Sequence, residues 1–89
     1  MNAERRSQLR DVRRGLKTLQ VNMDTLHQQL SFVADDEDDA RSRMPESLAG
    51  TDRYEHSEEC SEAMESALGA IDTARSLIKA AIGSVEEAI

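Results

Sequence analysis

Eight apolar residues, Leu9, Val12, Leu16, Leu19, Met23, Leu26, Leu30 and Val33, follow one another at spacings that alternate three and four without a miss. That alternation is the signature of a heptad repeat, which commits the segment to a long α-helix with one stripe turned toward a partner helix. Taking Leu9, Leu16, Met23 and Leu30 as position a puts Val12, Leu19, Leu26 and Val33 at position d, with mostly polar flanks. The same register continues through Glu37, Ala40 and Met44 as far as Pro45. Proline disfavours helical geometry in the residue before it and has no backbone N–H to donate, so the first helix is expected over about 3–43.

The stretch PESLAGT, residues 45–51, holds the only proline of the chain and Gly50, and it is the one convincing break in the sequence. Thr51 or Asp52 can cap a second helix, and Asp52 with Glu55 has capping-box spacing. This helix is expected over about 52–88, which leaves a hinge over 44–51. It keeps a heptad of its own, with Met64, Ile71, Ile78 and Val85 at a and Cys60, Ala67, Ala74, Ala81 and Ala88 at d. Unlike the first helix it adds apolar residues at e (Leu68, Ile82, Ile89) and g (Ala63, Ala70, Leu77), so its greasy face is wide and has to be covered on more than one side.

The expected fold is therefore all-α: one domain over 1–89, an antiparallel two-helix hairpin of coiled-coil type that oligomerises into a helical bundle. A dimeric four-helix bundle is the favoured form, with the second helices packed centrally through Ala67, Leu68, Ala74, Leu77, Ala81, Ile82 and Ile89. Size supports the need for a partner. A chain of 89 residues has difficulty burying enough apolar surface to offset its own ordering entropy. With only Phe32 and Tyr54 as aromatics, its core must come from Leu, Ile, Val, Met and Ala, which disfavours β architectures.

Charge narrows the classes of partner. Eighteen acids against eleven bases give a net charge of −7, which opposes nonspecific nucleic-acid binding and makes basic protein partners plausible. No apolar stretch approaches the roughly 20 residues needed to span a bilayer. The opening MNAERRSQLR has no apolar core of a signal peptide, and the lone Cys60 cannot close an intrachain disulfide, so a cytoplasmic location is expected.

The hinge stretch RMPESLAGTDRYE, Arg43 to Glu55, resembles the turn of small uncharacterised helical-hairpin proteins of bacteriophages and integrated mobile elements of Gram-positive and gut bacteria, where it reads M-P-E-N-L-x-G-S-x-R-Y-E. Met44, Pro45, Glu46, Leu48, Gly50, Arg53, Tyr54 and Glu55 match, while Ser47 stands for the usual Asn and Thr51 for the usual Ser. The heptad-rich flanks extend the likeness over most of the chain. The resemblance implies a hairpin fold and a mobile-element origin and brings no biochemical mechanism with it. In physical terms Pro45 ends a helix, Gly50 allows the reversal, Thr51 caps the next helix, and Leu48 and Tyr54 can cover the end of the bundle.

Three constellations could carry function. The first is an acidic tip formed by Asp35, Asp36, Glu37, Asp38 and Asp39 with Glu55, Glu58, Glu59 and Glu62, suited to a basic protein surface or to imitating phosphates. Asp35, Glu37, Asp39 and Glu46 also fall at calcium-loop spacing, but Ala40 stands where the loop needs glycine, and Arg41 and Arg43 intrude. The second is a basic stripe, Arg6, Arg10, Arg13 and Lys17, expected to pair with Glu86, Glu87 and Asp72 or, alternatively, to grip the phosphate of a nucleotide ligand. No aromatic lies among these bases to stack on a nucleobase. The third, His56 with Cys60, has the four-residue spacing of two zinc ligands without a second pair to complete a tetrahedral site.

No glycine-rich phosphate loop and no nucleophile with a base and an orienting partner is present, so no catalytic residue, cofactor or metal is assigned and the chain is not expected to be an enzyme. The expected role is a non-enzymatic accessory protein of a phage or mobile element. It would bind itself and a host or phage protein, for instance a defence or nucleic-acid-handling enzyme. The alternatives are a helical oligomer that binds a phosphate-bearing nucleotide and a purely structural self-assembling protein. Val21 and Phe32, apolar and outside the seam, offer a further contact site.

Overall fold

The computed structural model of the chain describes residues 2–89. Among them are two long helices, α1 (Ala3–Ser42) and α2 (Asp52–Ala88), joined by a hinge that holds one turn of 3-10 helix, Glu46–Leu48. The helices run antiparallel along each other in a rod whose Cα trace spans 70 × 15 × 14 Å.

Local chemistry sets each boundary. Asn2 opens α1, its side-chain oxygen accepting the N–H of Arg5 at 2.8 Å, a cap that supplies an acceptor to an otherwise unpaired donor of the first turn. The helix ends at Ser42, where the backbone N–H groups of Arg43 and Met44 turn back to Asp39 and Arg41 before Pro45 leaves in an extended conformation. Gly50, at φ 82°, is the only described residue in the left-handed region, where a side chain would clash. Thr51 then caps α2, its hydroxyl oxygen accepting from Tyr54 N–H at 3.4 Å while donating to the Leu48 carbonyl at 2.6 Å. Because the cap falls on Thr51, Asp52 already stands in the first turn, and the Asp52–Glu55 capping box anticipated above is not formed.

The seam between the helices differs from the a/d pairing anticipated above. On α1 the less exposed positions are Leu9, Leu16, Met23 and Leu30, the a column, together with Arg13, Gln20, His27, Ala34 and Arg41, the e column. Val12, Leu19, Leu26 and Val33 at d are 51, 45, 55 and 55 % exposed. On α2 the seam likewise uses a and e: Ser57, Met64, Ile71, Ile78 and Val85 with Leu68, Arg75, Ile82 and Ile89. On α2 side-chain size favours this choice, since alanine stands at d and the larger Leu and Ile at e; on α1 the same seam brings in Arg13, Gln20, His27 and Arg41 and turns the larger Val and Leu outward.

Two expectations are corrected by this rotation. Leu68, Ile82 and Ile89, assigned above to an interface between chains, belong to the hairpin's own seam, where Ile82 is only 8 % exposed. Ala74 and Ala81 are half-buried at its edge, leaving Ala67 and the 66 %-exposed Leu77 outside it. Nor is the α1 stripe used up by the hairpin, because half of it points away.

Candidate functional site

The register follows from the side chains that cross between the helices. Lys17 pairs with Glu86 at 3.6 Å, Asp24 with Arg75 at 2.8 Å, His27 with Asp72 at 3.1 Å, and Asp38 accepts from Ser61 at 2.8 Å. In each pair the two residue numbers add to about 100, so a residue of α1 stands level with its complement to 100 on α2. All four links lie on one flank, because Lys17, Asp24 and Asp38 share the b column of α1, as Asp72 and Glu86 do on α2. His27, Arg75 and Ser61 reach that flank from the adjoining e columns, Arg75 with its stem along the seam and its polar end toward solvent.

At the hinge end of this flank Arg41 gathers the strongest polar cluster. Its guanidinium donates to Asp38 Oδ1 at 2.8 Å, to Ser61 Oγ at 2.7 Å, and to the carbonyl and hydroxyl of Ser57 at 3.2 and 3.3 Å. Ser57 is 4 % exposed, the one buried polar residue among those described. The Ser61 hydroxyl, and after it the Arg41 guanidinium, hold the Asp38 carboxyl below its ordinary range; Asp38 in turn raises Arg41. A charged fork with four acceptors tolerates little sliding, so this cluster pins the register of the hairpin.

The opposite flank carries no cross-helix ion pair among the described residues. It is built from the d columns, with Val12 level with Ala88, Leu19 with Ala81, Leu26 with Ala74, Val33 with Ala67 and Ala40 with Cys60. Large residues on α1 thus stand beside alanines on α2, and Ala63, Ala70 and Leu77 widen the surface on the α2 side. A scatter of single exposed apolar residues is ordinary, whereas a continuous apolar band is uncommon on the surface of a solitary chain.

The residues of the expected acidic tip are not one surface. Asp38 is taken up by Arg41 and Ser61, Glu37 is half-buried in the seam, and Asp35, Asp36, Asp39, Glu55, Glu58, Glu59 and Glu62 are exposed around both helices. Helix α1 continues through Ser42, so Asp35, Glu37 and Asp39 fan out around it and do not converge as a calcium loop would require. Of the expected basic stripe, Lys17 meets Glu86, Arg13 is half-buried at the end of the seam, and Arg6 and Arg10 are exposed with no ion-pair partner among the described residues. Asp72 belongs with His27 and Arg75, about ten residues or 15 Å along the rod from Lys17 at 1.5 Å per residue.

The open depression beside the stripe is lined by Arg13, Arg14, Lys17, Thr18, Val21 and Asn22, all on α1, so it has one wall only. His56 Nε2 and Cys60 Sγ lie 3.6 Å apart, and no group of three or more His, Cys, Asp or Glu side chains converges on a metal position among the described residues. No described helix is long and apolar enough to cross a membrane.

Compared with models of protein families, with curated proteins and with solved structures, the chain matches none.

Proposed function

We propose that this chain is a non-enzymatic protein-binding hairpin that works as a dimeric four-helix bundle, the accessory protein of a phage or mobile element. The observation that carries the reading is the contrast of the two flanks: one is closed by ion pairs, and the other leaves Val12, Leu19, Leu26 and Val33 about half exposed in an unbroken column. A solitary hairpin gains more by turning that column inward; the rotation seen here makes sense when a second apolar surface covers it.

The contact to a further protein is assigned to the acidic half. Asp35, Asp36 and Asp39 on α1 and Glu59 and Glu62 on α2 are exposed and have no ion-pair partner among the described residues, so their field is available to a basic surface such as that of a nucleic-acid-handling host protein. The test is capture of partners from a bacterial lysate by the native chain and by a variant with Asp35, Asp36, Asp39 and Glu62 changed to Lys. Asp38 stays intact because Arg41 depends on it. The variant is expected to keep its helicity and lose the captured protein; equal capture by both chains ends the assignment.

A further inference from the structure

We infer that the second copy docks on the apolar flank head to tail, with the hinge end of each hairpin lying over the terminal end of the other. This inference rests on the dimer proposed above and adds its geometry. The flank runs from the level of Val12 and Ala88 to that of Ala40 and Cys60, which is about 40 Å at 1.5 Å per residue, and two helices side by side make it about 20 Å wide. That is on the order of 800 Å² per copy, or about 1,600 Å² for the pair, the size of a standard stable interface.

Two such faces can meet in two symmetric ways. Either the hinges lie together or they lie at opposite ends, and in both cases the same apolar columns are covered. Charge separates the two. Residues 35–65 hold twelve carboxylates and three guanidinium groups, whereas the opposite end, residues 1–17 with 83–89, holds six basic side chains and four acidic ones. Hinge beside hinge sets one acidic half against another, and like charges brought together across an interface oppose association. Head to tail, with the two-fold axis near Leu26 and Ala74 at the middle of the flank, segment 10–17 with Arg10, Arg13 and Arg14 comes level with segment 35–42 of the second copy. The terminal turns of α1, with Arg5 and Arg6, then extend toward the other hinge. The basic end of each hairpin then lies over the acidic end of the other, so the two fields attract along the length of the contact.

A distance measurement decides between the two arrangements. In a chain with Cys60→Ser and Glu59→Cys, the label sits on the exposed back of α2, away from the flank. Electron spin resonance between labels should give about 45 Å in the head-to-tail dimer, from 15 residues on either side of the axis at 1.5 Å each. Hinge beside hinge gives about 25 Å or less, roughly two helix diameters. Light scattering on the same labelled sample supplies the mass. A dimer with the long distance supports the inference, and a dimer with the short one overturns the orientation while leaving the dimer standing. A monomer at micromolar concentration removes the dimer itself.

Discussion

The two flanks of this hairpin solve the same problem in opposite ways. On one, Lys17, Asp24, His27, Asp38 and Arg41 meet Glu86, Arg75, Asp72, Ser61 and Ser57, so polar ends cross between the helices and specify their register. On the other, Val12, Leu19, Leu26 and Val33 face no more than alanine and remain half in water. Ion pairs at a surface contribute little to stability but are intolerant of slippage, whereas apolar area contributes much and is indifferent to register. One flank therefore sets how the hairpin aligns, and the other holds the larger reserve of binding energy.

The contrast can be broken most severely from the apolar side. Changing Leu19 and Leu26 together to Glu places two charges in the band and should halve the mass seen by light scattering at micromolar concentration while circular dichroism stays helical. An unchanged mass would show that this band is not the interface.

Arg75→Ala removes the side chain that holds Asp24 at 2.8 Å and Asp72 at 3.0 Å. Exposed pairs of this type contribute roughly 0.2–1 kcal/mol each, so chemical denaturation should show a loss of about 1 kcal/mol with the mass unaltered. A loss several times larger would mean that the ion-paired flank carries more of the stability than the contrast allows.

The smallest effect is read by pH. The Asp38 carboxyl is held below its ordinary value of 3.8 by Ser61 and Arg41, so its contribution is present above that value and is lost as pH falls through the lowered one. Thermal melts of the native chain and of Asp38→Asn should differ at neutral pH and converge in acid, once the pH has fallen through the lowered value. Comparing the pair of chains cancels the relief of repulsion that the other carboxylates of the hinge half undergo on acidification. A gap that persists undiminished into strong acid would remove Asp38 from the register lock.

Much of this was legible in the residues. The three-four alternation from Leu9 to Val33, Pro45 and the glycine at 50 point to two helices and a reversal, because periodicity and backbone restriction are local properties that every compact arrangement of the chain must respect. The Asn2 cap carried a legible signal as well, a side chain suited to capping at the first turn of α1. What the residues did not reveal was which two columns meet. Columns a and d make an acceptable seam on paper, and so do a and e once Arg13, Gln20, His27 and Arg41 send their ends out to one flank.

By itself, then, the sequence determined that there are two long helices, where they stop, and that acid collects toward the hinge and base toward the start of α1. Only the tertiary structure decided the rotation of each helix about its own axis. That angle depends on which side chains of one helix fit those of the other, and on whether a guanidinium such as Arg41 finds acceptors 16 and 20 residues away in Ser57 and Ser61. Such pairings are non-local, so no window along the chain contains them. From the rotation follows the half-exposed column at Val12, Leu19, Leu26 and Val33, the surface on which the proposed partner depends.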